Sequence, residues 1–187
     1  PKMAEFAASV AQGHIGRAKH LATNEEVRKT REKILNIPLT IKDLASAFEA
    51  ASNLVELAKN QAQSESDIRD EEELLKLKES YGVTGSKLAS GGSKAVKELE
   101  KEQKARSTRL VRNHLDGALL DIATVYRDIM LFQSKSKYSI INFDLIEKNN
   151  QKIQNVSSDT ALTAINYILK CRESIAKNNS ISIAIES

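Results

Sequence analysis

Tryptophan is absent from this chain, and aromatic residues make up 4% of its 187 positions. A core must therefore be filled mostly by Ala, Leu, Ile and Val. Cysteine occurs once, as Cys171, which rules out an internal disulfide and fits a reducing cytoplasm. Proline occurs twice, which leaves room for long helices. No apolar run reaches membrane-spanning length and no signal peptide is visible. Neither sign of charge dominates: the formal net charge is +3 at pH 7, too small an excess to argue for nucleic acid by itself. There is no Walker-type phosphate loop and no Gly-x-Gly-x-x-Gly. Gly91-Gly92-Ser93-Lys94 lacks the upstream strand and the full spacing of a phosphate loop.

What is present is helical periodicity. Hydrophobic residues are 41% and charged residues 28%, as in a soluble globular protein with one sizeable core or two small ones. The chain opens at Pro1, without an initiator Met and within a predicted helix, as expected of a piece of a longer protein.

Apolar spacing predicts a helix over 2–11, with Met3, Phe6, Ala7 and Val10 on one face. Gly13-His14-Ile15-Gly16-Arg17 follows; glycines three apart let two helices approach closely or meet at a tight corner. A short helix over 15–22 comes next. Thr23 or Asn24 caps a third, with Glu25 and Glu26 in its first turn; it is expected to stop near Leu35, before Asn36-Ile37-Pro38.

Thr40 and Asp43 read as a capping box, and Leu39 with Leu44 as a hydrophobic staple. The clearest stripe follows, at Ile41, Leu44, Phe48, Ala51, Val55, Ala58 and Ala62. Ser64, Ser66 and Asp67 weaken it, and a charged stretch over 70–73 resumes the helix to Gly82. Residues 83–93 are rich in Gly, Ser and Lys and read as a flexible loop.

A long helix over about 94–132 is predicted next. Its first half is polar nearly all round, with Glu100–Lys104 and Glu102–Arg106 at favourable i,i+4 spacing. This half is expected to pair with 65–81 as an antiparallel arm. Its second half carries Leu115, Ala118, Leu119, Ile122, Val125, Tyr126, Ile129 and Met130, and belongs in a core. Asn142 reads as the cap of a helix through Leu145, Ile146 and Ile153. Ser157 opens another, with Ala161, Leu162, Ile165, Ile168, Leu169 and Ile175 inward. Ile181, Ile183 and Ile185 alternate like a strand but have no strand to pair with, so a helix start is expected there.

Nothing in this pattern looks like a reaction centre. His14, His20 and His114 lie far apart, and His14 and His20 are not at metal-binding helical spacing. Cys171 sits among Ala164, Ile168 and Ile175, as a buried apolar thiol would. The carboxylates fall in mixed-charge runs typical of solvated faces. No catalytic residue, cofactor or metal ligand is assigned. Lys97, Lys101, Lys104 and Arg109, with Lys94, are candidate phosphate contacts. Interleaved glutamates and the lack of stacking aromatics favour a solvated arm instead.

Three stretches carry a resemblance: AQGHIGRAKHLAT at 11–23, KAVKELEKEQKARSTRLVRNHLDGALLDIATVYRDIMLFQ at 94–133, and TALTAINYILKCRESIAKNNSISIAIE at 160–186. In order and spacing they resemble the C-terminal part of the delta-prime subunit of the bacterial DNA polymerase III clamp loader, most of all its actinobacterial form. The resemblance implies an all-α chain: residues 1–36 as the C-terminal part of a helical AAA+ lid, and 37–187 as a helical collar with a long antiparallel arm. The AAA+ core of the family would lie outside this chain. Aligned by Gly13, the lid's sensor arginine position holds Gly16, and Arg17 falls one residue later, turned by about 100°. That suits a subunit that need not bind ATP.

The function implied is structural. Other loader subunits are the expected partners, in a hetero-oligomeric collar, with DNA met indirectly through the complex and no membrane or small-molecule substrate. The parent would be part of a DNA polymerase holoenzyme, in the cytoplasm. Candidate interface residues are Tyr126, Met130, Tyr167, Ile168, Cys171, Ile175 and Ile181, with Phe132. The rival reading is a free-standing helical adaptor or nucleic-acid-binding module that uses the basic 94–112 helix.

Overall fold

Long apolar stripes and scarce proline produce an all-α chain, seen in a computed structural model that describes residues 2–11, 13–81, 83–84, 87–88, 91–177 and 181–186. Three helices open it: α1 (Lys2–Val10), α2 (Ile15–Thr23) and α3 (Glu25–Thr40). Then come α4 (Leu44–Tyr81), a two-residue antiparallel pair, β1 (Val83–Thr84) with β2 (Lys87–Leu88), and α5 (Gly92–Gln133). The end is built from α6 (Phe143–Lys148), α7 (Asn150–Ile153), α8 (Ser158–Ala176) and α9 (Ile181–Glu186). The helix start expected at Ile181 is thus observed. The stretch expected to be a loop contains the β1–β2 pair; its residues 85–86 and 89–90, like Gly82, lie outside the described residues.

The chain divides into two compact units, Pro1–Leu54 with Asp116–Ser187, and Val55–Leu115. The lid–collar boundary expected after residue 36 falls within α3, inside the first unit.

In the first unit, Leu35, Val125, Ile129, Ile146 and Ile153 form the main apolar cluster, with Leu39, Tyr126, Phe132, Ile140, Leu145 and Val156 packed on it. A second cluster joins Ala7, Val10 and Leu21. Each fully buried Ile or Leu contributes about 1.5–3 kcal/mol relative to exposure. This packing explains one departure from the sequence reading: α3 does not stop at Leu35 but runs through Pro38 to Thr40. Pro38 sits in the last turn; lacking an N–H, it gives up the single bond it would make to the Ile34 carbonyl, and continuing the helix brings Leu39 onto the cluster.

The start of α4 also differs. Thr40 ends α3, and the cap is Asp43, whose Oδ1 accepts from the Ser46 amide at 2.8 Å while Ser46 Oγ accepts from the Asp43 amide at 3.0 Å. The Ser46 amide, with the Ser46 hydroxyl that also donates to Oδ1 at 2.8 Å, holds the Asp43 carboxyl below its ordinary range. Leu44 is 72% exposed, so it does not act as the expected staple.

The second unit is the arm. Its antiparallel register is fixed by Glu65 with His114, Asp70 with Gln103 and Arg106, and Glu73 with Arg106. Small residues Ala58, Ala62 and Ser66 line the buried side of α4, and Val111 and Leu115 that of α5. Arg106 pairs across the helices with Asp70 and Glu73, in place of the expected Glu102 on its own helix.

Candidate functional site

The glycine turn is formed as its spacing suggests. Gly13 adopts φ +84°, a left-handed value that glycine takes without strain. Exposed His14 caps α2 through Nδ1, which accepts from the Arg17 amide at 3.4 Å. No atom lies within 4 Å of a Cβ built on Gly13, and only His14 approaches one on Gly16, so the described neighbours do not demand a close helix contact there.

Arg17 points into the first unit. Its guanidinium pairs with Asp121 on α5, and its Nη1 donates to the Gly117 carbonyl at 3.2 Å. Arg31 reaches the same carboxylate from α3: Nε donates to Asp121 Oδ1 at 3.1 Å, while Nη2 donates to Asn142 Oδ1 at 2.9 Å. Asn142 Nδ2 donates onward to Thr124 Oγ1 at 3.0 Å and Asp128 Oδ2 at 2.9 Å. The Asn142 amide donates to Asp128 Oδ2 as well, at 2.8 Å. Arg31, Asp121, Thr124, Asp128 and Asn142 are all buried. Burial lowers the Arg31 pKa, and the Asp121 charge opposes that shift.

This polar centre ties α2, α3, α5 and the start of α6 together. Sequence reasoning missed it. Arg31 has no assigned role in the sequence pattern, and Asn142 reads as a helix cap. Asn142 does occupy the N-cap position of α6, but its side chain makes no cap bond, being committed to Arg31, Thr124 and Asp128. The available signal was Asp121 and Asp128, two acids seven apart within an otherwise apolar stripe.

The interface candidates divide by burial. Ile175 is interior, at 2% exposure. Tyr126 packs half-buried on the main cluster with Phe132; burial raises its phenol pKa. Met130, Ile168, Cys171 and Ile181 are half-buried. Cys171 is a free thiol whose pKa burial pushes up, away from reactive thiolate. Tyr167 is 61% exposed, with Lys170 Nζ 5.3 Å from its ring centre.

Two residues expected inward on α8, Leu162 and Leu169, are exposed instead. They lie seven apart and so share a face, turned by about 80–140° from the buried Ala161 and Ile175. Arg172 anchors α8 to α5 by donating two bonds to Asp116, at 2.8 and 3.0 Å. At the start of α4, Leu44 and Phe48 of the apolar stripe are also exposed.

On the arm, Lys94, Lys97, Lys101, Lys104 and Arg109 are all exposed. His114 meets Glu65 at 3.0 Å, and His20 is exposed. Among the described residues no group of three His, Cys, Asp or Glu is placed to hold a metal ion, and no helix is long and apolar enough to cross a membrane. No family model matches the chain, and neither a curated protein nor a solved structure matches it.

Proposed function

We propose that this chain is a non-catalytic assembly element of a clamp loader of the DNA polymerase III type, the lid end and collar of a delta-prime-like subunit. Its work is to hold partner subunits together while they load a sliding clamp onto primed DNA by ATP hydrolysis. The observation that carries this reading is that large apolar side chains are left uncovered on helices, among them Leu44 and Phe48 on α4 and Leu162 and Leu169 on one face of α8, with Tyr167 on another. Exposed apolar surface of this kind suits burial against another helix.

The glycine turn supports the same reading. Gly16 occupies the place of a sensor arginine, and the neighbouring Arg17 is spent on Asp121 and the Gly117 carbonyl. A side chain held in this way serves the protein's interior and leaves nucleotide chemistry to other subunits. The test is co-purification of the chain with the remaining loader subunits at low and high salt. Retention at both salts supports assembly through apolar contact. Capture of DNA alone, with no subunit retained, overturns it.

A further inference from the structure

The arm carries its charges unevenly. Between residues 92 and 115, α5 has seven Lys and Arg against three carboxylates. Between residues 55 and 81, α4 has eight carboxylates against four Lys and Arg. Across the arm, Arg106 is neutralised by Asp70 and Glu73, which draws one cation of α5 and two acids of α4 out of the outward field. What α5 leaves facing outward is Lys94, Lys97, Lys101 and Lys104, all exposed, with exposed Arg109 beside them.

At 3.6 residues per turn, the four lysines fall within about 80° of the helix circumference and span about 15 Å of its length. Glu98, Glu100 and Glu102 fall outside that strip, on its two flanks. Exposed Ala105 and Thr108 complete it, so no large side chain stands above the ammonium groups.

We infer that this strip of α5 docks on the phosphate backbone of duplex nucleic acid. A duplex presents one negative charge per about 1.7 Å of axis, a density that lets each lysine find a phosphate. The arm part of α5 has no Phe, Tyr or Trp, so it lacks the stacking platform that single strands use. An acidic protein partner is disfavoured for a related reason: such interfaces centre on apolar or aromatic anchors, and the strip offers only Ala105 and Thr108. Lysines act as point charges here, so binding is independent of base sequence. The acidic α4 stretch restricts docking to the α5 side.

This inference uses different residues from the assembly reading and does not depend on it. The test is fluorescence anisotropy of a labelled DNA duplex with the full chain, across a salt series. Three forms are compared: the unaltered chain, Lys97→Gln/Lys101→Gln/Lys104→Gln, and Lys59→Gln/Lys76→Gln/Lys78→Gln, which removes equal charge from α4. The expected slope of log K against log salt is about −3 to −4, falling to about −1 in the α5 variant with at least ~10-fold weaker binding at low salt. The α4 variant should bind within about twofold of the unaltered chain. No binding at low salt, equal loss in both variants, or tighter binding of single-stranded than duplex DNA overturns the inference. Subunit retention is read in a separate assay, so either result can fail alone.

Discussion

Arg31 and Asp121 lie 90 positions apart in the chain and form a buried pair, Nε to Oδ1 at 3.1 Å. The same carboxylate also holds Arg17. Removing one member of a buried pair leaves uncompensated charge, at a cost of about 3–5 kcal/mol. Asp121→Ala is therefore expected to destabilise the first unit by that amount in urea unfolding. Arg31→Ala and Asp121→Ala combined should cost clearly less than the two single losses added. Additive losses would show that the pair does not form.

Two left-handed residues should respond to substitution with opposite signs. Gly13, at φ +84°, has open space where a Cβ would go, so Gly13→Ala carries a purely conformational cost of about 1 kcal/mol. Lys135, at φ 50°, closes α5: its amide donates to the Phe132 carbonyl at 3.2 Å, and the Ser136 amide to the Leu131 carbonyl at 3.0 Å. That is the helix ending usually given to glycine, so Lys135→Gly should stabilise by about 0.5–1 kcal/mol. Thermal unfolding of both variants checks the two signs together.

Acid should loosen the arm. The Arg106 guanidinium, with Arg69, pulls the Glu73 carboxyl from 4.5 down to about 2. A depressed carboxylate contributes its stability fully above its unfolded pKa and loses it as pH falls through the folded value. The arm's melting temperature should thus drop between about pH 5 and pH 2, and Glu73→Gln should flatten that drop. An equal pH slope in the variant would contradict the clamp.

Much of this architecture was legible in the sequence. A cap at Thr23 or Asn24, made by Asn24, the Ser157 cap, the length of α5 and the antiparallel arm all follow from local periodicity and side-chain chemistry. What escaped was set by tertiary contact. Pro38 continues α3 because Leu39 has a cluster to join. Asn142 gives up its capping bond because Arg31 and Asp128 flank it. Leu162 and Leu169 fit an inward helical pattern but are left outside, since pattern alone does not state which side of α8 is covered. The polar centre of Arg17, Arg31 and Asp121 joins segments too distant for any local rule to link.

Core and surface should separate cleanly under substitution. Ile129 is fully buried, and Ile129→Ala is expected to cost about 2–5 kcal/mol. Leu162→Ser and Leu169→Ser, on exposed side chains, should each change stability by no more than about 0.5 kcal/mol. Denaturant midpoints for the three variants, at equal slope, give the comparison.

The most direct measurement of the assembly account is sedimentation of the chain mixed with the remaining loader subunits, with and without Leu162→Asp/Leu169→Asp. The account predicts a stable hetero-complex for the unaltered chain that persists in high salt, and dissociation for the folded double variant. A chain that sediments alone beside intact partners, or a double variant that assembles equally well, contradicts it.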